Sequence, residues 1–147
     1  MRLTVALVAV AVLFALATEE MAGAVSPRRI GAVQAHRSAY GTILFDRRGY
    51  VLYAFTADSR VASRCSGSCA KAWPPFLTSG KPLALKGVAQ RRLGRVRRAD
   101  GSQQVTYAGH PLYYYIGDRK AGQILCQDVL EFGGRWLVVS RAGTVVR

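Results

Sequence analysis

The segments GYVLYAFTAD (Gly49 to Asp58) and GHPLYYYIGD (Gly109 to Asp118) are one phrase written twice. With the chain shifted by 60 residues, Gly49, Leu52, Tyr53, Phe55 and Asp58 fall on Gly109, Leu112, Tyr113, Tyr115 and Asp118. Upstream, Ile43-Leu44-Phe45 falls on Gln103-Gln104-Val105. Downstream, each copy reaches a tryptophan, Trp73 and Trp136, 15 and 18 residues past the aspartate. A repeat of this kind restricts the fold, because copies of one unit bury their apolar faces against each other. Two copies are too few for a solenoid, so the expected product is one pseudo-symmetric domain.

Each copy reads as β structure. Thr42 to Thr56 holds a strand, a turn at Asp46-Arg47-Arg48-Gly49 and a second strand; Gln103 to Ile116 repeats this around Ala108-Gly109-His110-Pro111. Val, Ile, Leu, Tyr and Phe fill the runs, and Gly or Pro breaks them. Alternation places Leu112, Tyr114 and Ile116 on one face and Tyr113 and Tyr115 on the other, so both faces need cover. Further strands are expected near 31–35, 93–97, 136–140 and 144–146, with a tight turn over 99–102. One short helix is expected at 68–72, stopped by Pro74-Pro75. The fold class is therefore mainly β: a single antiparallel domain of two repeats, about 41–80 and 93–140, after a strand-like lead-in over 25–40.

The first residues read as an address. Met1 and Arg2 precede an uncharged apolar run from Leu3 to Ala17, too short to span a bilayer. Ala22-Gly23-Ala24 fits a small-x-small cleavage site, so residues 1–24 read as a secretory signal peptide. No cysteine lies near residue 24, which argues against a lipid anchor. Export is thus expected without a stable transmembrane anchor. Removal of 1–24 leaves 123 residues with 20 Lys and Arg against 6 Asp and Glu, a net charge of +14. Such a surface is attracted to anionic polymers and lipid headgroups in a salt-dependent way. RRLGRVRR is its densest stretch. As a strand, Leu93 to Arg97 places Arg95 and Arg97 on one face and Val96 on the other, and Arg91, Arg92, Arg95, Arg97 and Arg98 together form a candidate anionic-surface site.

The motif Y-x-[FWY]-x-x-D, met by Tyr53, Phe55 and Asp58 and again by Tyr113, Tyr115 and Asp118, occurs here with CSGSCAKAWPP (65–75), RADGSQQVTYAGHPLYYY (98–115) and FGGRWLVVS (132–140). These ordered motifs resemble the bacterial secreted-repeat family, predicted lipoproteins that carry this motif. The resemblance covers about 41–140. It implies an exported, envelope-associated protein of unknown function with no established enzyme activity. The chain departs from the family pattern in lacking a lipobox cysteine, in carrying Arg95 and Arg97 at strand positions expected to be neutral, and in placing Cys126 and Glu131 in a loop usually rich in Gly and Asn.

Cys65 and Cys69, in an exported chain, are expected to form a disulfide. The alternative is a soft-metal site in which their thiolates hold Cu(I), with His110 or a sulfur as third ligand. A zinc centre lacks donors, since His36 and His110 are the two histidines and there is no C-x-x-C pair. Cys126 is left over by count.

No nucleophile elbow, H-E-x-x-H or phosphate loop is present. The reading that leads is a non-enzymatic exported binding or structural module with no cofactor and no specific nucleic-acid partner, whose basic surface meets anionic envelope polymers or lipids. The motif tyrosines and aspartates read first as a cross-strand core motif with turn-fixing carboxylates. Two rivals remain: copper or redox chemistry at Cys65 and Cys69, and a glycan-acting enzyme using Asp58 and Asp118 as an acid pair.

Overall fold

A computed structural model of the chain describes residues 29–147. The expected signal segment lies outside the described residues. The strands are β1 (Ala32–Ser38), β2 (Gly41–Asp46), β3 (Tyr53–Phe55), β4 (Leu83–Ala84), β5 (Leu93–Arg97), β6 (Gln103–Tyr107), β7 (His110–Pro111), β8 (Val129–Glu131) and β9 (Gly134–Val138), with one α-helix, α1 (Ser68–Ala72), and one 3-10 turn, Gln90–Arg92. They form three small sheets in the orders β2-β1-β4, β3-β9-β8 and β5-β6-β7. All the pairings are antiparallel except β4 on β1, which is parallel and departs from the expected antiparallel pattern. No helix among the described residues is long and apolar enough to cross a membrane.

The two repeats are built alike. β1 pairs with β2 as β5 pairs with β6. Leu52 N–H donates to Leu44 C=O, and Leu112 N–H to Val105 C=O, both at 3.0 Å. This sets Leu44 opposite Val105 in the repeat, one residue further on than the sequence match of Leu44 to Gln104. The reason is the turn. Asp46 to Tyr50 closes the first hairpin, whereas Ala108-Gly109 closes the second as a two-residue turn with both residues at positive φ. Gly49 and Gly109, at φ 88° and 85°, supply the left-handed residue in each case.

The closing strand of each repeat belongs to the other repeat. β9, from the second copy, pairs with β3 of the first, with Tyr53 opposite Val138 and Phe55 opposite Trp136. The extended segment after Trp73, from the first copy, bridges the second at Pro75 to Tyr113 and at Leu77 to Gln104. The same exchange is repeated in the backbone hydrogen bonds: Leu44 N–H donates to Val139 C=O, and Val105 N–H to Phe76 C=O, each at 2.9 Å. Neither copy closes its own sheet.

Two apolar clusters result, one on each side of the shared strands. One gathers Ile43, Phe45, Val51, Tyr53, Phe55, Trp73, Tyr113, Trp136 and the pair Cys65 and Cys69; the other gathers Val33, Leu44, Leu52, Phe76, Val105, Tyr107 and Leu112. Alternation along 112–115 holds, with Leu112 and Tyr114 in one cluster and Tyr113 and Tyr115 in the other. It fails at Ile116, which starts a turn and is 61% exposed. The segment 112–116 is held by two isolated bridges at Tyr113, to Tyr53 and to Pro75, rather than as a regular strand, and 144–146 by the single bridge of Val145 to Val139.

Candidate functional site

The repeated motif folds into two crossed tyrosine–aspartate pairs. Tyr53 and Tyr113 face each other across the pseudo-symmetry axis, each backbone N–H donating to the other's carbonyl at 2.9 Å. Tyr53 Oη donates to Asp118 Oδ2 at 2.7 Å, and Tyr113 Oη to Asp58 Oδ2 at 2.6 Å. Each carboxylate also accepts a backbone N–H from its own loop, Arg64 to Asp58 at 2.7 Å and Leu125 to Asp118 at 3.0 Å. The motif therefore spaces an aromatic strand residue and a loop acid so that each repeat bonds to its twin. Burial raises both phenols far above their ordinary value, with the hydrogen bond to the aspartate as the next cause. Burial also raises Asp58 and Asp118, against the lowering effect of the tyrosine hydrogen bonds.

Around these pairs runs a column of rings. Trp73 and Trp136 stack at 4.0 Å with planes 5° apart. Phe55 stacks on Trp136 at 4.2 Å, and Tyr115 lies on Trp73 at 4.7 Å. The second aromatic of each motif thus covers the tryptophan of the opposite copy. Tyr53 and Tyr113 meet Trp73 and Trp136 edge-on at 5.3 and 5.1 Å. Gly134 admits Phe55: a Cβ there would stand 2.5 Å from its ring. Glu131 satisfies both indoles. Its carboxylate accepts from Trp73 Nε1 at 2.8 Å and its carbonyl from Trp136 Nε1 at 3.2 Å. Glu131 therefore serves the centre of the core.

Tyr53 and Tyr113 are fully buried, so they do not line a binding groove. Asp58 and Asp118 are each taken up by the tyrosine of the opposite repeat rather than by one another. The arrangement fixes the backbone of both loops, and Asp118 and Tyr115 also line a small open hollow with Tyr50, Pro74 and Ile116.

Cys65 and Cys69 form a disulfide, with Cα atoms 5.2 Å apart. His110 sits in β7, half-buried beside Arg60, and burial lowers its pKa, with the Arg60 charge a smaller cause. No three of the described His, Cys, Asp and Glu residues gather around a common metal position. Cys126 is the repeat partner of Cys65: each follows the residue whose N–H caps the motif aspartate. Seven and eight residues from aspartate to cysteine were the available signal. Cys126 is a partly buried free thiol, raised by burial.

The structure divides the basic stretch. Arg91, Arg95 and Arg97 are exposed, Val96 is buried, and Arg95 and Arg97 share a face as expected. Arg92 is half-buried and donates to Ala142 C=O at 2.6 Å. Arg98 is a correction: it is 8% exposed and does not belong to the surface. Alternation places it with Val96, facing inward. Its guanidinium donates to Ser63 Oγ and Gln104 Oε1 at 2.7 Å and to Cys65 C=O at 2.6 Å. Ser63 in turn shares a hydrogen bond with Tyr113 Oη at 2.6 Å. Sequence reasoning missed this cluster because Ser63 and Gln104 have no counterpart in the other repeat, where Ile124 and Ile43 stand; only that break in the repeat marked them.

No curated protein and no solved structure matches the chain. A family model described as a secreted repeat of unknown function matches it twice, at residues 35–76 and 94–140. Those two spans bracket the crossed pairs and the exchanged tryptophan segments, and they cover more than half of the chain. The chain belongs to this family of secreted repeats of unknown function.

Proposed function

We propose that the protein is a non-enzymatic, envelope-associated binding module, held against anionic envelope polymers or lipid headgroups by its arginine face. The observation that carries this reading is the exposure of Arg95 and Arg97 on one face of β5 and of Arg91 in the 3-10 turn, Gln90–Arg92, that leads into it. Across the strand pair, Arg95 stands opposite Val105 and Arg97 opposite Gln103, so no carboxylate opposes either guanidinium. The ion pairs among the described residues, Arg48 with Asp46 and Arg135 with Asp128, lie elsewhere. Exposed guanidiniums offer paired N–H donors that match phosphate and carboxylate oxygens. The crossed pairs Tyr53–Asp118 and Tyr113–Asp58 supply the frame that holds this edge.

The test is co-sedimentation with vesicles containing an anionic phospholipid, at low and high salt. The parent is expected to bind at low salt and to be released as salt screens the attraction. The variant Arg91→Gln, Arg95→Gln, Arg97→Gln, with Arg98 kept, is expected to lose most of this binding while retaining its fold. Binding equal to the parent's would overturn the reading.

A further inference from the structure

An open cleft of about 1330 Å³ lies between the Asp46 turn, the 75–79 segment and the chain entering β1. Its lining combines two chemistries. Aliphatic side chains are left in water: Ile30 at 41%, Leu77 at 43% and Leu83 at 45% exposure, beside the buried ring of Phe76. Arg29, Arg47 and Arg48 also line it. Asp46 is the one acid in the lining, and its charge is used up. It accepts from Arg48 Nε and N, from Tyr50 N and from Tyr114 Oη, all within 3.0 Å. Arg48 is thereby fixed over the Tyr50 ring at 4.9 Å. Gln103, which also lines the cleft, lies opposite Arg97 in the β5–β6 pairing.

We propose that this cleft seats an anionic amphiphile, with its alkyl chain along Ile30, Leu77 and Leu83 and its phosphate or carboxylate head against Arg29 and Arg47. This deepens the reading of the protein as a binder of anionic envelope material and rests on it. A sugar polymer would find few exposed aromatic faces here, whereas three adjacent aliphatic side chains in water fit a hydrocarbon chain. Positive side chains without a competing carboxylate fit the head.

Titration calorimetry with dodecyl phosphate below its micelle concentration tests the assignment. One-to-one binding is expected, tighter by at least about tenfold than that of butyl phosphate, which lacks the long chain, or of dodecyl maltoside, which lacks the charge. The variant Leu77→Gln, Leu83→Gln changes exposed side chains and is expected to lose most of that gain, and Arg47→Gln to weaken binding independently. Binding of butyl phosphate as tight as that of dodecyl phosphate, full competition by a soluble polyphosphate, or parent-like affinity in both variants would overturn the proposal. If vesicle binding still depends on Arg91, Arg95 and Arg97 while dodecyl phosphate does not bind, the cleft assignment fails alone. If the vesicle dependence itself is lost, the broader reading fails.

Discussion

Tyr53 and Tyr113 hold each other by two backbone hydrogen bonds of 2.9 Å, and each sends its phenol to the aspartate of the opposite repeat. The residues of the repeated motif therefore act between copies rather than within one. Exchange of the Trp73 and Trp136 segments extends the same crossing to the sheets and to the ring column.

Removing one phenol tests the crossed pairs. Tyr113→Phe strips Asp58 and Ser63 of a partner in a half-buried site, and a loss of about 1–3 kcal/mol in unfolding free energy is expected. In a double-mutant cycle with Asp58→Asn, measured by urea denaturation, the two losses are expected to be strongly non-additive. Additive losses would show that the hydrogen bond contributes nothing.

How much of this was legible beforehand follows from the kind of signal each feature leaves. The repeat, α1 and the disulfide were visible because they rest on local spacing and residue type. The pairing partners were not. Nothing in the period of YVLYAF says whether its neighbour is the Trp strand of its own copy or that of its twin, since both carry equivalent residues. Arg98 was misplaced for a related reason: a run of arginines reads as one surface, but alternation from Val96 turns one of them inward, toward acceptors at Ser63 and Gln104 that are distant or unremarked in sequence.

Arg98 and Arg97 are thus expected to respond differently. Arg98→Gln leaves Cys65 C=O and Ser63 without a donor, and a loss of about 2–4 kcal/mol is expected from a buried, charge-assisted cluster. Arg97→Gln, on the exposed face, is expected to change stability by less than about 0.5 kcal/mol. Thermal unfolding of the two variants decides, and equal melting temperatures would contradict the assignment.

The two motif aspartates set a pH trend. Burial raises Asp58 and Asp118 above the ordinary 3.8, so the folded protein binds their protons more tightly than the unfolded chain. Their stabilising contribution is full below the ordinary value and is lost as pH rises through the raised folded values. Relative to Asp58→Asn, Asp118→Asn, the parent should gain stability as pH falls from 7 toward 4. Calorimetric melts of both proteins across that range would contradict this if the parent lost ground on acidification.

Strand exchange predicts that neither repeat folds alone. The fragments 25–87 and 88–147, cut at the Gly87 turn, each lack the segment that closes their sheet. Separately they are expected to show no near-ultraviolet circular dichroism from a fixed tryptophan pair. Mixed, they are expected to restore it, because Trp73 and Trp136 then stack. A fixed aromatic signal from either fragment alone would refute the exchange.

The proposed division of labour is that the repeated motif builds the frame and the arginine edge binds anionic surfaces. One binding measurement on anionic vesicles at low salt addresses both halves, with Tyr53→Phe, Tyr113→Phe compared against Arg91→Gln, Arg95→Gln, Arg97→Gln, each confirmed as folded. The account predicts that the tyrosine variant binds like the parent while the arginine variant weakens by at least about tenfold, the consequence of removing three exposed charges from an attractive field. Parent-like binding by the arginine variant, together with loss of binding in the tyrosine variant, would contradict it.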